Sequence, residues 1–222
     1  MMRDNLQNES GNALWFILLA IALLAALTAT ISRSTDTAEQ SGNVERFRID
    51  ASDIMRNSAS LREAVNSLKL QGISENDISF VNTFTSVDYS NGVCFDCMVF
   101  SSSGGGASYR KPNTSWLDST HSGDTRYGEW EFSGTNDVVG VRSTNADLIM
   151  YLGYLKENLC TQINTMLGIA GIPTDAGFDQ TAFTGTFANT ADIGGMNGAE
   201  SGCFEDTSGD RDFTYYQVLV KR

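Results

Sequence analysis

The first strong pattern along the chain is an unbroken apolar run. No charged residue lies between Ser10 and Ser32, and Ala13 to Ile31 is interrupted only by Thr28 and Thr30. Apolar side chains occur at every angle of a helix built on this run, which leaves no face for water. Its 19 residues would rise roughly 28 Å, close to the hydrocarbon thickness of a bilayer. A second helical pattern follows Ser32–Thr37. Val44, Phe47, Ala51, Ile54, Ser58, Leu61, Val65 and Leu68 alternate at spacings of three and four, and charged residues fill the opposite side. The spacing predicts an amphipathic helix over 44–70, closed by Gly72.

Beyond Gly72 the pattern becomes β-like. Ile78–Val87, Val93–Phe100, Glu129–Phe132, Val138–Arg142 and Phe213–Val220 read as strands. Leu148, Ile149, Tyr151, Leu152, Leu155, Leu159, Ile163 and Leu167 have helical spacing, and predict one further helix from Asn145 to Gly168. Residues 171–198, rich in Gly, Thr and Ala, read as surface loops with one short strand at most. There is no internal repeat and no linker to a second globular domain. The expected fold class is α+β. A long N-terminal helix, with a membrane or filament half and a head half, packs on an antiparallel β-sheet head with one further helix.

Composition narrows the function. The 222 residues carry 15 Lys+Arg against 27 Asp+Glu, a net charge of −12. So acidic a chain lacks the clustered cations that nucleic acid requires, and none is expected as a partner. A single His, His121, argues against His-based metal or triad chemistry; it reads as a loop residue. No catalytic residue, cofactor or metal is expected. Glu205, Asp206, Asp210 and Asp212 have the oxygen density of a calcium site, but the loop signature is missing and a solvated hairpin turn explains them better. Trp116, Trp130, Tyr109 and Tyr127 read as aromatics of a β-rich head, with a glycan or partner surface as the alternative.

Four cysteines, Cys94, Cys97, Cys160 and Cys203, form an even set behind an apolar N-terminal segment. That combination indicates disulfides in an oxidising compartment. Three pairings are open, and the closeness of the first two favours Cys94–Cys97 with Cys160–Cys203. Cys-x-x-Cys is also a thioredoxin-like spacing, but it falls in a strand-like stretch and not at a helix start.

The N-terminal residues resemble those of type IV pilins and of the pseudopilins of type II secretion. In that family a short polar leader ends in Gly, and a hydrophobic helix begins directly after a prepilin peptidase cut. Here Met1–Glu9 is followed by Ser10-Gly11 and then Asn12-Ala13-Leu14-Trp15-Phe16. The resemblance makes Gly11 the last leader residue and Asn12 the first mature one. Phe16 stands at the fifth mature position, where most pilins have Glu, a departure that suits a minor, tip-type subunit better than a major one. Small pilin-like proteins of alphaproteobacteria share further points. These are the Ser-Gly-Asn-Ala-Leu start, a Cys-x-x-Cys before a Gly run, the Cys160-x-x-Ile163-Asn164 helix and an ending like Tyr215–Val220.

The resemblance implies a leader (1–11), a hydrophobic transmembrane or filament-core helix (12–33) and an extracytoplasmic head (34–222). It implies a structural subunit held in the inner membrane and then assembled into an extracellular filament with copies of itself or other pilin-like subunits. Leu14, Phe16, Ile17, Leu18, Ile21 and Leu24, continued by Val44, Phe47, Ile54, Leu61, Val65 and Leu68, are the expected helix-packing positions. A single-span periplasmic binding protein that never polymerises is the alternative. Arg3 before the apolar run, against Arg33, Arg46 and Arg48 after it, opposes an N-inside orientation by charge alone. The cysteines and the pilin resemblance favour the head outside the cytoplasm.

Overall fold

The computed structural model describes residues 10–91, 94–208 and 211–222, with side chains at 14–28 and from 43 onward within those ranges. Residues 1–9 of the expected leader lie outside it. The backbone at Gly11 and Asn12 is helical. Helix α1 (Ser10–Leu70) comes first. Two compact units divide between Arg46 and Phe47.

The second unit explains most of its own sequence. The end of α1 is a Schellman cap. Ile73 N–H reaches back to the Leu68 carbonyl and Gly72 N–H to Lys69, with Gly72 at φ +88° and Ile73 packed on the core. Six strands follow, β1 (Glu131–Val138), β2 (Asp147–Leu155), β3 (Thr174–Asp175), β4 (Ala191–Ile193), β5 (Ser201–Asp206) and β6 (Asp212–Val220), with α2 (Glu157–Leu167) between β2 and β3. They form one sheet in the order β3-β5-β6-β2-β1-β4.

The sheet is covered on both faces. On one side, Ala51, Ile54, Leu61, Val65 and Leu68 of α1 and Leu159, Cys160 and Ile163 of α2 join Leu148, Met150, Leu152, Tyr215 and Leu219 of the sheet. On the other, Phe178, Ile193 and Met196 join Ile149, Tyr151, Phe204, Tyr216 and Val218. Alternate residues of β2 thus enter two different cores. Ser58, the one polar position in the amphipathic seam, is fully buried. It donates to the Met55 carbonyl and accepts from the Tyr215 hydroxyl at 2.6 Å, so its polarity is satisfied.

The expected fold class is corrected on several counts. The sheet is mixed and not antiparallel: β1 pairs β4, and β3 pairs β5, in parallel. This large sheet dominates the second unit. Among the described residues no helix is long and apolar enough to cross a membrane. The helix expected from Asn145 starts only at Glu157, and 147–155 is the central strand β2. Residues 78–87 are irregular, with a single bridge from Ser79 to Met98. The second strand candidate contains a 3-10 turn at Phe95–Cys97.

Candidate functional site

The N-terminal stretch of α1 is the most exposed apolar surface among the described residues. Leu14, Trp15, Phe16, Ile17, Leu18, Leu19, Ile21, Leu23, Leu24 and Leu27 are 45–65% exposed. Six of them, Leu14 to Leu19, are consecutive, so they point to all sides of the helix. Isolated exposed apolar residues are ordinary, but a contiguous surface of this kind marks an interaction with protein or lipid. Of the remaining expected packing positions, Val44 is exposed and Phe47 is half-buried against the larger core. Ile54, Leu61, Val65 and Leu68 are buried within that core.

The cysteines pair as Cys94–Cys97 and Cys160–Cys203. The second bond ties α2 to β5, and Asn164 reinforces the same junction: its amide donates to the Cys203 carbonyl and its oxygen accepts from Cys203 N–H. Two disulfides indicate an oxidising extracellular or periplasmic environment. Cys94 precedes a three-residue 3-10 turn, which supplies none of the α-helix dipole that stabilises a redox thiolate.

No protein-family model, curated protein or solved structure matches this chain.

The second notable feature is a buried charged network. Glu131, on β1, is 1% exposed and Arg211, just before β6, is 4% exposed. Glu131 accepts from Arg211 Nη2 at 3.1 Å, from Arg126 Nη1 at 2.8 Å and from the Tyr151 hydroxyl at 3.0 Å. Arg211 also donates to Gln180 Oε1, the Thr125 carbonyl and the Tyr154 hydroxyl. Burial pushes the Glu131 carboxyl upward, and the two guanidiniums pull it back. Backbone strain gathers here: Arg126, Tyr154 and Asp212 all have positive φ, the left-handed region that non-Gly residues avoid. Tyr154 sits where the β2–β6 register shifts, and Gly153 beside it gives Arg211 room to lie against the strand.

His121 joins the rim of this network. Its Nδ1 lies 2.7 Å from Asp124 and its Nε2 2.7 Å from Asp212, and its ring stacks on Tyr154. The Asp124 hydrogen bond is the main force holding its pKa above the ordinary value; Asp212 adds to it. Of the acidic residues considered as a calcium set, Asp210 lies outside the described residues. Asp206 accepts from Ser208 in the turn, and Asp212 faces His121. No group of metal-binding side chains occurs among the described residues. Sequence reading missed Glu131, Arg126 and Arg211 as a unit, because they meet only when β1 and β6 join the same sheet.

Proposed function

We propose that this protein is a structural subunit of a type IV pilus-like or pseudopilus filament, assembled through the apolar N-terminal part of α1. The observation that carries the reading is the all-round exposure of the apolar side chains from Leu14 to Leu27. Such a surface is unfavourable in water, at about 25 cal/mol per Å² of apolar area. Packing against the same segment of neighbouring copies covers every side at once, whereas a groove would cover one side only. The leader-like Met1–Gly11 and the Asn12 start support the same reading by resemblance. Residence at the inner membrane, release by a prepilin peptidase between Gly11 and Asn12, and heads carried outside the cell belong to the proposal. The two disulfides are compatible with that location.

The test combines three measurements on the native producer. Mass spectrometry of the mature chain is expected to find an N-terminus at Asn12. Shearing is expected to release the chain in filaments visible by electron microscopy. Leu18→Glu is expected to abolish filaments while leaving the two disulfides and the far-ultraviolet circular dichroism of the head intact. A mature chain beginning after Ser32, or a chain that stays monomeric and cell-bound after shearing, overturns the proposal.

A further inference from the structure

A groove of about 700 Å³ opens beside the buried charged network. Arg126 and Arg211 reach it from the network side, and Thr125, Asp179, Gln180 and Thr181 form much of the remaining lining. One side of the Arg126 guanidinium is committed to the fold. Its Nη1 donates to Glu131 at 2.8 Å and to the Gln180 carbonyl at 3.1 Å. The other side is free. Nε and Nη2 have no partner among the described residues, and neither is an atom sealed from solvent. On a planar guanidinium these two nitrogens present parallel N–H groups, a fork that matches the two oxygens of a carboxylate.

The fork is held in place, unlike that of a surface arginine. The Arg126 side chain is 27% exposed, and its ion-pair partner Glu131 only 2%. Arg126 takes this position from left-handed backbone, φ +66°, a strain of the kind that gathers at ligand sites. Arg211, 4% exposed, fixes the walls. Its Nε donates to Gln180 Oε1 at 3.0 Å and its Nη1 to the Thr125 carbonyl at 2.9 Å. With Oε1 engaged, the Gln180 amide keeps Nε2 as a further accessible donor, without a partner among the described residues. Charge is unbalanced here. Two guanidiniums share the single carboxylate of Glu131, which leaves one positive charge in excess. Asp179 forms no ion pair with either among the described residues; its oxygens accept from the Thr181 N–H and hydroxyl and from the Thr190 hydroxyl. One further carboxylate at the fork brings the network to two charges of each sign. The rest of the lining is rich in hydroxyl and amide groups, which suits a hydroxylated ligand frame better than a hydrocarbon one.

We propose that this groove binds an acidic sugar, a uronate, by its carboxylate. The Nε–Nη2 side of Arg126 takes the two carboxylate oxygens. Gln180 Nε2, Thr125 and Asp179 face the ring hydroxyls. A volume of about 700 Å³ lies within the span of small-ligand sites and admits a uronate unit, either free or at the end of an acidic polysaccharide. The site stands independently of the filament reading, since all its lining residues lie in the second unit.

The Arg126 Nε–H reports directly on the proposed contact. The full chain in non-ionic detergent is labelled with nitrogen-15 arginine, and its side-chain Nε resonances are followed by nuclear magnetic resonance. Arg126→Lys identifies the relevant peak and keeps a positive charge facing Glu131 while removing the fork. Glucuronate and a uronate trisaccharide are titrated at constant ionic strength, with glucose and acetate as controls. The expected result is a saturable shift of the Arg126 peak with glucuronate, none with glucose, and at least about tenfold weaker binding of acetate, which lacks the hydroxyl contacts. Tighter binding of the trisaccharide assigns the groove to a polymer end, and equal binding to the free sugar; both uphold the chemistry. Calorimetry is expected to show glucuronate binding weakened at least about tenfold in Arg126→Lys, the loss of a bidentate contact. Thr125→Glu is the second variant. The Thr125 side chain is exposed and bonds nothing among the described residues, so a carboxylate placed there is expected to leave the unfolding midpoint unchanged. By competing for the fork it is expected to weaken glucuronate binding to a similar extent. An Arg126 peak unmoved by glucuronate, moved equally by glucose or acetate, or glucuronate affinity insensitive to Thr125→Glu overturns the proposal.

Discussion

Glu131→Ala tests whether the charged network joining β1 to the start of β6 across β2 is a sealed structural unit. Truncation removes the acceptor for Arg126 Nη1, Arg211 Nη2 and the Tyr151 hydroxyl. It leaves the Arg211 guanidinium 4% exposed beside that of Arg126, with no carboxylate between them. Removing one member of a buried ion pair costs about 3–5 kcal/mol, because the remaining charge is neither solvated nor compensated. For a chain of this size that is a fall in melting temperature of about 6–20 °C. Glu131→Gln keeps the volume and one acceptor oxygen but loses the charge, and is expected to fall between wild type and Glu131→Ala. Adding Arg211→Met to Glu131→Ala is expected to restore part of the loss, since the stranded charge is then gone. Arg62→Ala supplies the reference: the Arg62–Glu200 pair, also 3.1 Å apart but 43% and 38% exposed, is worth less than about 1 kcal/mol. Denaturant unfolding monitored by near-ultraviolet circular dichroism measures all four. If Glu131→Ala costs no more than Arg62→Ala, solvent reaches the network and the argument from burial is wrong.

Three other outcomes follow from the same geometry. His121, raised above 6.5 chiefly by its hydrogen bond to Asp124, contributes stability that is fully present below that value and is lost as pH rises through its folded-state pKa. The unfolding free energy is therefore expected to fall by at most about 1 kcal/mol between about pH 6 and pH 9, His121 being partly exposed, and His121→Gln is expected to flatten the difference. With a sequence separation of 43, the Cys160–Cys203 bond is expected to contribute about 4 kcal/mol against about 2 kcal/mol for Cys94–Cys97 at a separation of 3; equal unfolding costs for the two double Cys→Ala variants would refute this loop argument. Gly153→Ala places a Cβ 2.9 Å from Arg211 Cδ, a side chain pinned at four partners. Calorimetry is expected to show a loss of about 1–3 kcal/mol that largely disappears in an Arg211→Ala background.

What the sequence showed depended on whether an element has a wet side. The 44–70 stripe was legible because charged residues fill its outer face, and β6 because its β-branched and aromatic run is long. Strand β2 was read as helix for a physical reason. All nine of its residues are buried, with Leu148, Met150 and Leu152 in one core and Ile149 and Tyr151 in the other. A strand covered on both faces shows no polar alternation, and by chance its apolar positions also satisfy helical spacing. Ile78–Val87 failed differently. Ile78 and Phe80 are buried, but Asn82 then takes the N–H groups of Phe84 and Thr85 on its side-chain oxygen, converting the run to a turn. The two-residue β3 and three-residue β4 are too short for any periodicity.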